Sequence, residues 1–179
     1  MQQPLNLVWD ILLPAMKAGS LREDAVSHER LTRKLTGLGF LPVSGQAESP
    51  VASQISGRIF KVDANDMQIE TLALNFTAAG CTLNIKTAAG TETLASGYNT
   101  WQQGQTSLFR QPLLFERTPI AASGAWTAND TFTMVVRLYE TPFFYTLNCH
   151  FVGDEMLVEA RINVSLESLE PLLLTAQLG

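Results

Sequence analysis

From residue 57 onward, apolar and polar positions alternate along the chain. Phe132, Met134, Val136 and Leu138 fall on one face, with Thr131, Thr133, Arg137 and Tyr139 on the other. Tyr145, Leu147, Cys149 and Phe151 repeat the pattern, and Met156, Val158, Ala160, Ile162 and Val164 continue it. Side chains of a strand point alternately to opposite sides, so this period-two pattern predicts a meander with one face buried and the other in water.

The same reading predicts strands over residues 58–62, 67–76, 81–87, 92–95, 120–126, 131–139, 145–152 and 156–164, with an irregular stretch over 96–112. The punctuation between them is turn chemistry: Asp63-Ala64-Asn65-Asp66, Ala79-Gly80, Ala89-Gly90, Ala128-Asn129-Asp130 and Gly153-Asp154. Roughly eight antiparallel strands with no long helix among them predict a mainly β protein, a closed or nearly closed barrel. A sandwich satisfies the same pattern.

The beginning of the chain has a different period. Leu5, Val8, Trp9 and Leu12 share a helical face over residues 5–13, Pro4 suits a first turn, and Pro14 predicts a stop after Leu13. Ser20 and Glu23 have capping-box spacing ahead of a second helix carrying Ala25, His28, Leu31, Leu35 and Leu38, closed by Gly37 and Gly39. Residues 41–50, with two prolines and a glycine, read as a linker. The expected division is therefore a helical segment with linker over 1–50 and a barrel over 51–179.

Composition narrows the function. Charged residues are 16% of the 179, hydrophobic ones 46%, and the net charge is −5, the profile of a globular chain long enough to bury a core. The 12 basic residues are scattered except for Arg30, Arg33 and Lys34 on one helix, which argues against nucleic acid. No unbroken apolar run approaches a bilayer-spanning length. The first residues lack a basic region and Asp10 interrupts the apolar run, so neither a signal peptide nor a membrane partner is expected and the compartment favoured is the cytoplasm. Cys81 and Cys149 fall on inward faces and read as buried free thiols, with a disulfide left open. The sequons at Asn75, Asn129 and Asn163 then read as chance matches.

Catalytic and cofactor motifs are missing. There is no G-x-S-x-G, and no serine stands three residues before any of Lys17, Lys34, Lys61 or Lys86. Lys86-Thr87-Ala88 lacks the glycine of a Lys-Thr-Gly element, and Tyr98-Asn99 lacks the gap of Tyr-x-Asn. Cys149 and His150 are strand neighbours and so face opposite ways. His150 reads as a surface residue. Two Cys and two His have no zinc spacing, and Asp63-x-Asn65-Asp66 lacks the later glycine and glutamate of a calcium loop. No cofactor, metal or catalytic residue is expected.

One segment exceeds what packing requires. Residues 97–110 bring Tyr98, Trp101, several glutamines and Arg110 together on a glycine-hinged loop. Amphipathic aromatics in such a setting suit ligand or partner contact, whereas a structural role makes Trp101 the plug of one barrel end. The combination expected is Trp101 buried as the plug, with Tyr98 and Arg110 on the rim.

The order of the pieces resembles a known family. Trp9-Asp10-Ile11-Leu12-Leu13-Pro14-Ala15-Met16 precedes a charged helix, and Ser56-Gly57-Arg58-Ile59-Phe60 opens the barrel. Ala121-Ala122-Ser123-Gly124-Ala125-Trp126, Asp130-Thr131-Phe132 and Glu140-Thr141-Pro142-Phe143 follow. This is similar to the C-terminal, lipocalin-like barrel region of β-lactamase-related serine hydrolases, the penicillin-recognising superfamily. The resemblance implies a noncatalytic accessory domain shaping substrate access or assembly, with partners in a catalytic hydrolase domain or in self-association through the N-terminal helix. The family's Ser-x-x-Lys, Tyr-x-Asn and Lys-Thr-Gly elements match no position here, so no catalytic role is carried over. The alternative is a free-standing lipocalin-like carrier of a small apolar ligand, since an eight-stranded barrel has room for one. A sizeable interior cavity favours the carrier and a solid core the accessory domain.

Overall fold

The computed structural model describes every residue except Met1, Leu21, 110–116 and 166–168. The chain divides into two units, Met1–Phe40 and Leu41–Gly179.

In the first unit, α1 (Gln2–Leu7) runs into a π-helical turn, Val8–Leu12, and returns to α geometry in α2 (Leu13–Ala15). Pro14 therefore does not end the helix before itself, as its sequence position suggested. A proline cannot donate to the carbonyl four residues back and crowds it. The preceding turn widens instead, and the Leu13 amide donates to the Val8 carbonyl. The second helix, α3 (Ala25–Thr36), starts four residues later than the Ser20–Glu23 box suggested. Its cap is Asp24, whose carboxylate accepts from the Ser27 amide at 3.0 Å and the Ser27 hydroxyl at 2.7 Å. Gly37 ends it. Leu5, Trp9, Ile11 and Leu12 are all exposed, as are Leu31 and Leu35. None of the helices among the described residues is long and apolar enough to cross a membrane.

The second unit is the barrel. A single-turn helix, α4 (Ala52–Ile55), precedes ten strands. They are β1 (Ile59–Val62), β2 (Ile69–Thr77), β3 (Gly80–Thr87), β4 (Gly90–Gly97) and β5 (Gln102–Thr106), then β6 (Thr118–Ala128), β7 (Thr131–Arg137), β8 (Phe144–Val152), β9 (Glu155–Ile162) and β10 (Leu172–Leu178). Neighbours run β4-β3-β2-β1-β10-β9-β8-β7-β6-β5, and β4 meets β6 in a parallel bridge, Gly97 to Ser123. Nine strands thus close the ring, and among the described residues β5 forms a backbone ladder with β6 alone. The eight expected strands all form, with no end shifted by more than two residues.

The two additional strands escaped the sequence reading for different reasons. In β5 the residues Gln102-Gln103-Gly104-Gln105-Thr106 have no apolar alternation. In β10, Leu172, Leu174, Ala176 and Leu178 do alternate with exposed Leu173 and Gln177, but every other position of Leu172-Leu173-Leu174 is also apolar and blurs the period.

The segment expected as a linker is pinned to β6. Gln46 and Trp126 exchange two backbone hydrogen bonds of 2.9 Å each, and the Val43 amide donates to the Ser123 hydroxyl at 3.2 Å. Such proximity needs small residues. A Cβ on Gly45 would lie 2.4 Å from the Trp126 carbonyl oxygen, and Ala122, Ser123 and Ala125 on β6 are themselves buried.

The interior is filled rather than hollow at one end. Trp126 is ringed by Phe76 at 5.0 Å, Phe132 at 5.5 Å and Phe151 at 5.9 Å between ring centres, and Phe60 lies 6.0 Å from Phe151. Edge-to-face and tilted pairs of this kind add about 0.5–1.5 kcal/mol each beyond the burial of their area. Ile55 of α4 closes over this end, buried with Phe60 and Phe151 in the core. Cys81 and Cys149 are free thiols, both buried. His150 sits half-exposed on the outer face, its Nδ1 3.0 Å from the Thr131 hydroxyl.

Candidate functional site

Away from the aromatic cluster, the inward faces of β2, β3, β8, β9 and β10 leave a cavity of about 60 Å³. Ile69, Leu72, Leu83, Ile85, Leu147, Val158 and Leu174 form its walls, with Cys149 among them and Met67 at the margin. Ala160, Leu172, Leu108 and Phe109 complete the lining. The Phe109 ring is stacked on Tyr145, centres 4.0 Å apart and planes 14° from parallel. No charged side chain among the described residues lines this space. Burial pushes the Cys149 thiol up to about 12, so it faces the cavity as a neutral, weakly polar group. Chemically the arrangement offers dispersion contacts and no fixed charge.

The residues that position Leu108 and Phe109 are polar. Glu92, on β4, accepts hydrogen bonds from the Thr106 hydroxyl at 3.2 Å, the Ser107 amide at 3.4 Å and the Ser107 hydroxyl. Arg117 grips both of its oxygens, at 3.3 and 3.2 Å, and also donates to the Gln105 carbonyl at 3.0 Å. Burial raises the Glu92 carboxyl, but the Ser107 hydrogen bonds, the Arg117 charge and Thr106 outweigh it, leaving it below the usual range. The Thr106 hydroxyl in turn accepts from the Leu108 amide at 3.2 Å.

Of the three residues singled out from sequence, Trp101 and Tyr98 are placed differently from expectation. Trp101 is not the plug. It is partly exposed on the outside of the barrel, with the Arg137 guanidinium 5.5 Å above its ring and 4.5 Å from the Phe144 ring. A side chain just ahead of an edge strand has the outer sheet face to pack on, and a cation over a ring is favourable there. Tyr98 is not on the rim. Its ring packs against the core, and its hydroxyl is buried with no hydrogen-bond partner. Burial, then the neighbouring Cys81 and Glu48, pushes that phenol up to about 12. Tyr98 also lines an open groove with Glu48, Ser49, Ser53 and Phe76. Arg110 lies outside the described residues. Neither Tyr98 nor Trp101 lines the apolar cavity.

The residues that do shape the site were missed, except that Leu108 and Phe109 fell within the loop already noted. Glu92 had no signal to give. Its partners lie 14 to 25 residues further along, and only the fold brings them together.

No family model matches this chain, and no curated protein matches it either. Solved structures do. A fatty acid binding protein of Schistosoma mansoni, in complex with arachidonic acid, is similar with a TM-score of 0.54 at 9% identity, over 72% of this chain and 98% of that one. A fatty acid-binding protein from brain tissue of Drosophila melanogaster gives 0.49 at 10% identity, over 69% and 98%. Human cRBP IV gives 0.47 at 10% identity, over 70% and 98%. At such identity the first of these establishes the fold alone, a lipocalin-like β-barrel. None of the three points to a β-lactamase-related parent, and neither a hydrolase partner nor self-association gains support.

Proposed function

We propose that the barrel is a noncatalytic binding protein for a small apolar ligand, taken into the cavity beneath Leu108 and Phe109. The observation that carries this reading is the lining itself, apolar throughout among the described residues and including two loop side chains, Leu108 and Phe109. The likeness to ligand-binding barrels of the same fold supports it.

The closed cavity sets the ligand's size. An engineered cavity of about 150 Å³ accepts a benzene ring, so 60 Å³ admits a longer group only if Leu108 and Phe109 swing aside. The aromatic cluster around Trp126 blocks deeper penetration. The ligand class is therefore a short acyl chain or a single ring, with any polar head left at the mouth. Burying about six methylenes gains roughly 5 kcal/mol, a dissociation constant on the order of 0.1–1 mM.

Calorimetric titration with octanoate tests the reading. Binding in that range, with a negative heat-capacity change, is expected for the native chain. Ala160→Phe, which fills the cavity from its β9 wall, should weaken binding by about tenfold or more while the barrel stays folded. No binding at 10 mM octanoate (roughly tenfold above the weakest affinity expected), or equal binding by Ala160→Phe, refutes it.

A further inference from the structure

The ring of strands has one place where backbone does not close it. β5 is hydrogen-bonded only to β6, and β4 only to β3 apart from the single bridge Gly97 to Ser123. Between the body of β4 and β5 there is consequently a seam, among the described residues, with no ladder across it. What spans the seam is the Glu92 carboxylate, reaching Thr106 and Ser107 on the far side and held by Arg117. Glu92 is only 16% exposed, so its bonds are poorly replaced by water. Two facts tie the seam to the cavity. Glu92 stands opposite Ile85 in the β3–β4 pair, and Ile85 is a cavity wall. Leu108 and Phe109, which line the cavity, follow directly on the two residues that Glu92 holds.

We propose that the β4–β5 seam is the ligand's entrance and that Glu92 is the latch that keeps it shut, so that releasing its bonds to Thr106 and Ser107 lets Leu108 and Phe109 move off the cavity. The proposal rests on the binding function argued above, but it can be tested without any ligand. A ladder seals a barrel through many equivalent bonds, each costly to break when the neighbours hold. A carboxylate seals it through one side chain that can rotate away as a unit. Opening at the seam is thus a local event separable from global unfolding.

Cys149 reports on it, because its thiol lines the cavity. In a Cys81→Ala background it is the only thiol in the chain. Its modification by methyl methanethiosulfonate, a small uncharged reagent, should be slow and nearly independent of urea at low concentration. Glu92→Gln should accelerate it by roughly tenfold or more, the factor produced by losing one hydrogen bond to a charged group. Should that variant not fold, Arg117→Met removes the cation, leaves Thr106 and Ser107 bonded, and should accelerate modification by a smaller factor. Unchanged rates in both variants, or rates rising with urea as steeply as global unfolding does, overturn the latch. Octanoate at 5 mM separates the two ideas. Fast modification of Glu92→Gln that octanoate does not slow leaves the latch standing and overturns the ligand reading. Protection by octanoate with no effect of Glu92→Gln does the reverse.

Discussion

Replacing Tyr98 with phenylalanine removes one oxygen from a position where that oxygen has no partner. The ring packs against the core, and the hydroxyl is covered without a hydrogen bond. A buried polar atom left unpaired costs about 1–3 kcal/mol, whereas removing it without changing shape is neutral or stabilising. Tyr98→Phe should therefore raise stability by about 1 kcal/mol, or roughly 2–4 °C in melting temperature for a chain of this size. Tyr98→Ala, which also removes the ring, should lower stability by about 2–4 kcal/mol. Urea unfolding of the three proteins, compared at a common m-value, gives the numbers. The pH dependence supplies an independent check. The phenol is pushed from 10.0 to about 12, so the unfolded chain ionises first as pH rises. Native stability from this group is intact below pH 10 and falls as pH climbs from 10 toward 12. Tyr98→Phe should lose less stability than the native protein across that window. A variant destabilised by more than about 0.5 kcal/mol at neutral pH would refute the reasoning, by revealing a partner for the hydroxyl.

Other outcomes follow from the same packing. Trp101→Ala should cost only about 0.5–1 kcal/mol in a urea melt, the worth of an exposed cation–π contact, instead of the 3–5 kcal/mol or so of a buried plug. Gly45→Ala, whose Cβ would lie 2.4 Å from the Trp126 carbonyl oxygen and 2.9 Å from the Ala125 side chain, must push two backbones apart. It should cost about 1–3 kcal/mol and abolish hydrogen-exchange protection of the Gln46 and Trp126 amides.

The barrel was legible wherever one face of a strand is wet. Phe132 to Leu138 and Tyr145 to Phe151 declare their faces because threonines, Arg137, Asn148 and His150 intervene. β5 was not legible, since it is a strand by virtue of its neighbour β6 and carries only amides, a glycine and a threonine. The linker looked free because proline and glycine usually signal a turn, but here Gly45 is small so that two backbones can touch. In the loop at 97–110 the faces of Tyr98 and Trp101 were read in reverse. In irregular backbone no period assigns inside and outside, and Trp101 had Arg137 to lie against while Tyr98 had only the core. The cavity itself follows from which side chains fail to fill the space between five strands. Side-chain volumes in a linear sequence do not give that.

The central claim is that an apolar ligand occupies the barrel interior. The exposed leucines of the N-terminal helices are the obvious competing surface. Methyl-resolved NMR of the full chain during titration with octanoate distinguishes the two. Saturable shifts are expected at Leu147, Val158 and Leu174 of the cavity wall, with Leu5, Ile11 and Leu12 unmoved. Shifts confined to Leu5, Ile11 and Leu12, or cavity methyls that stay still up to 10 mM octanoate (roughly tenfold above the weakest affinity expected), would contradict it.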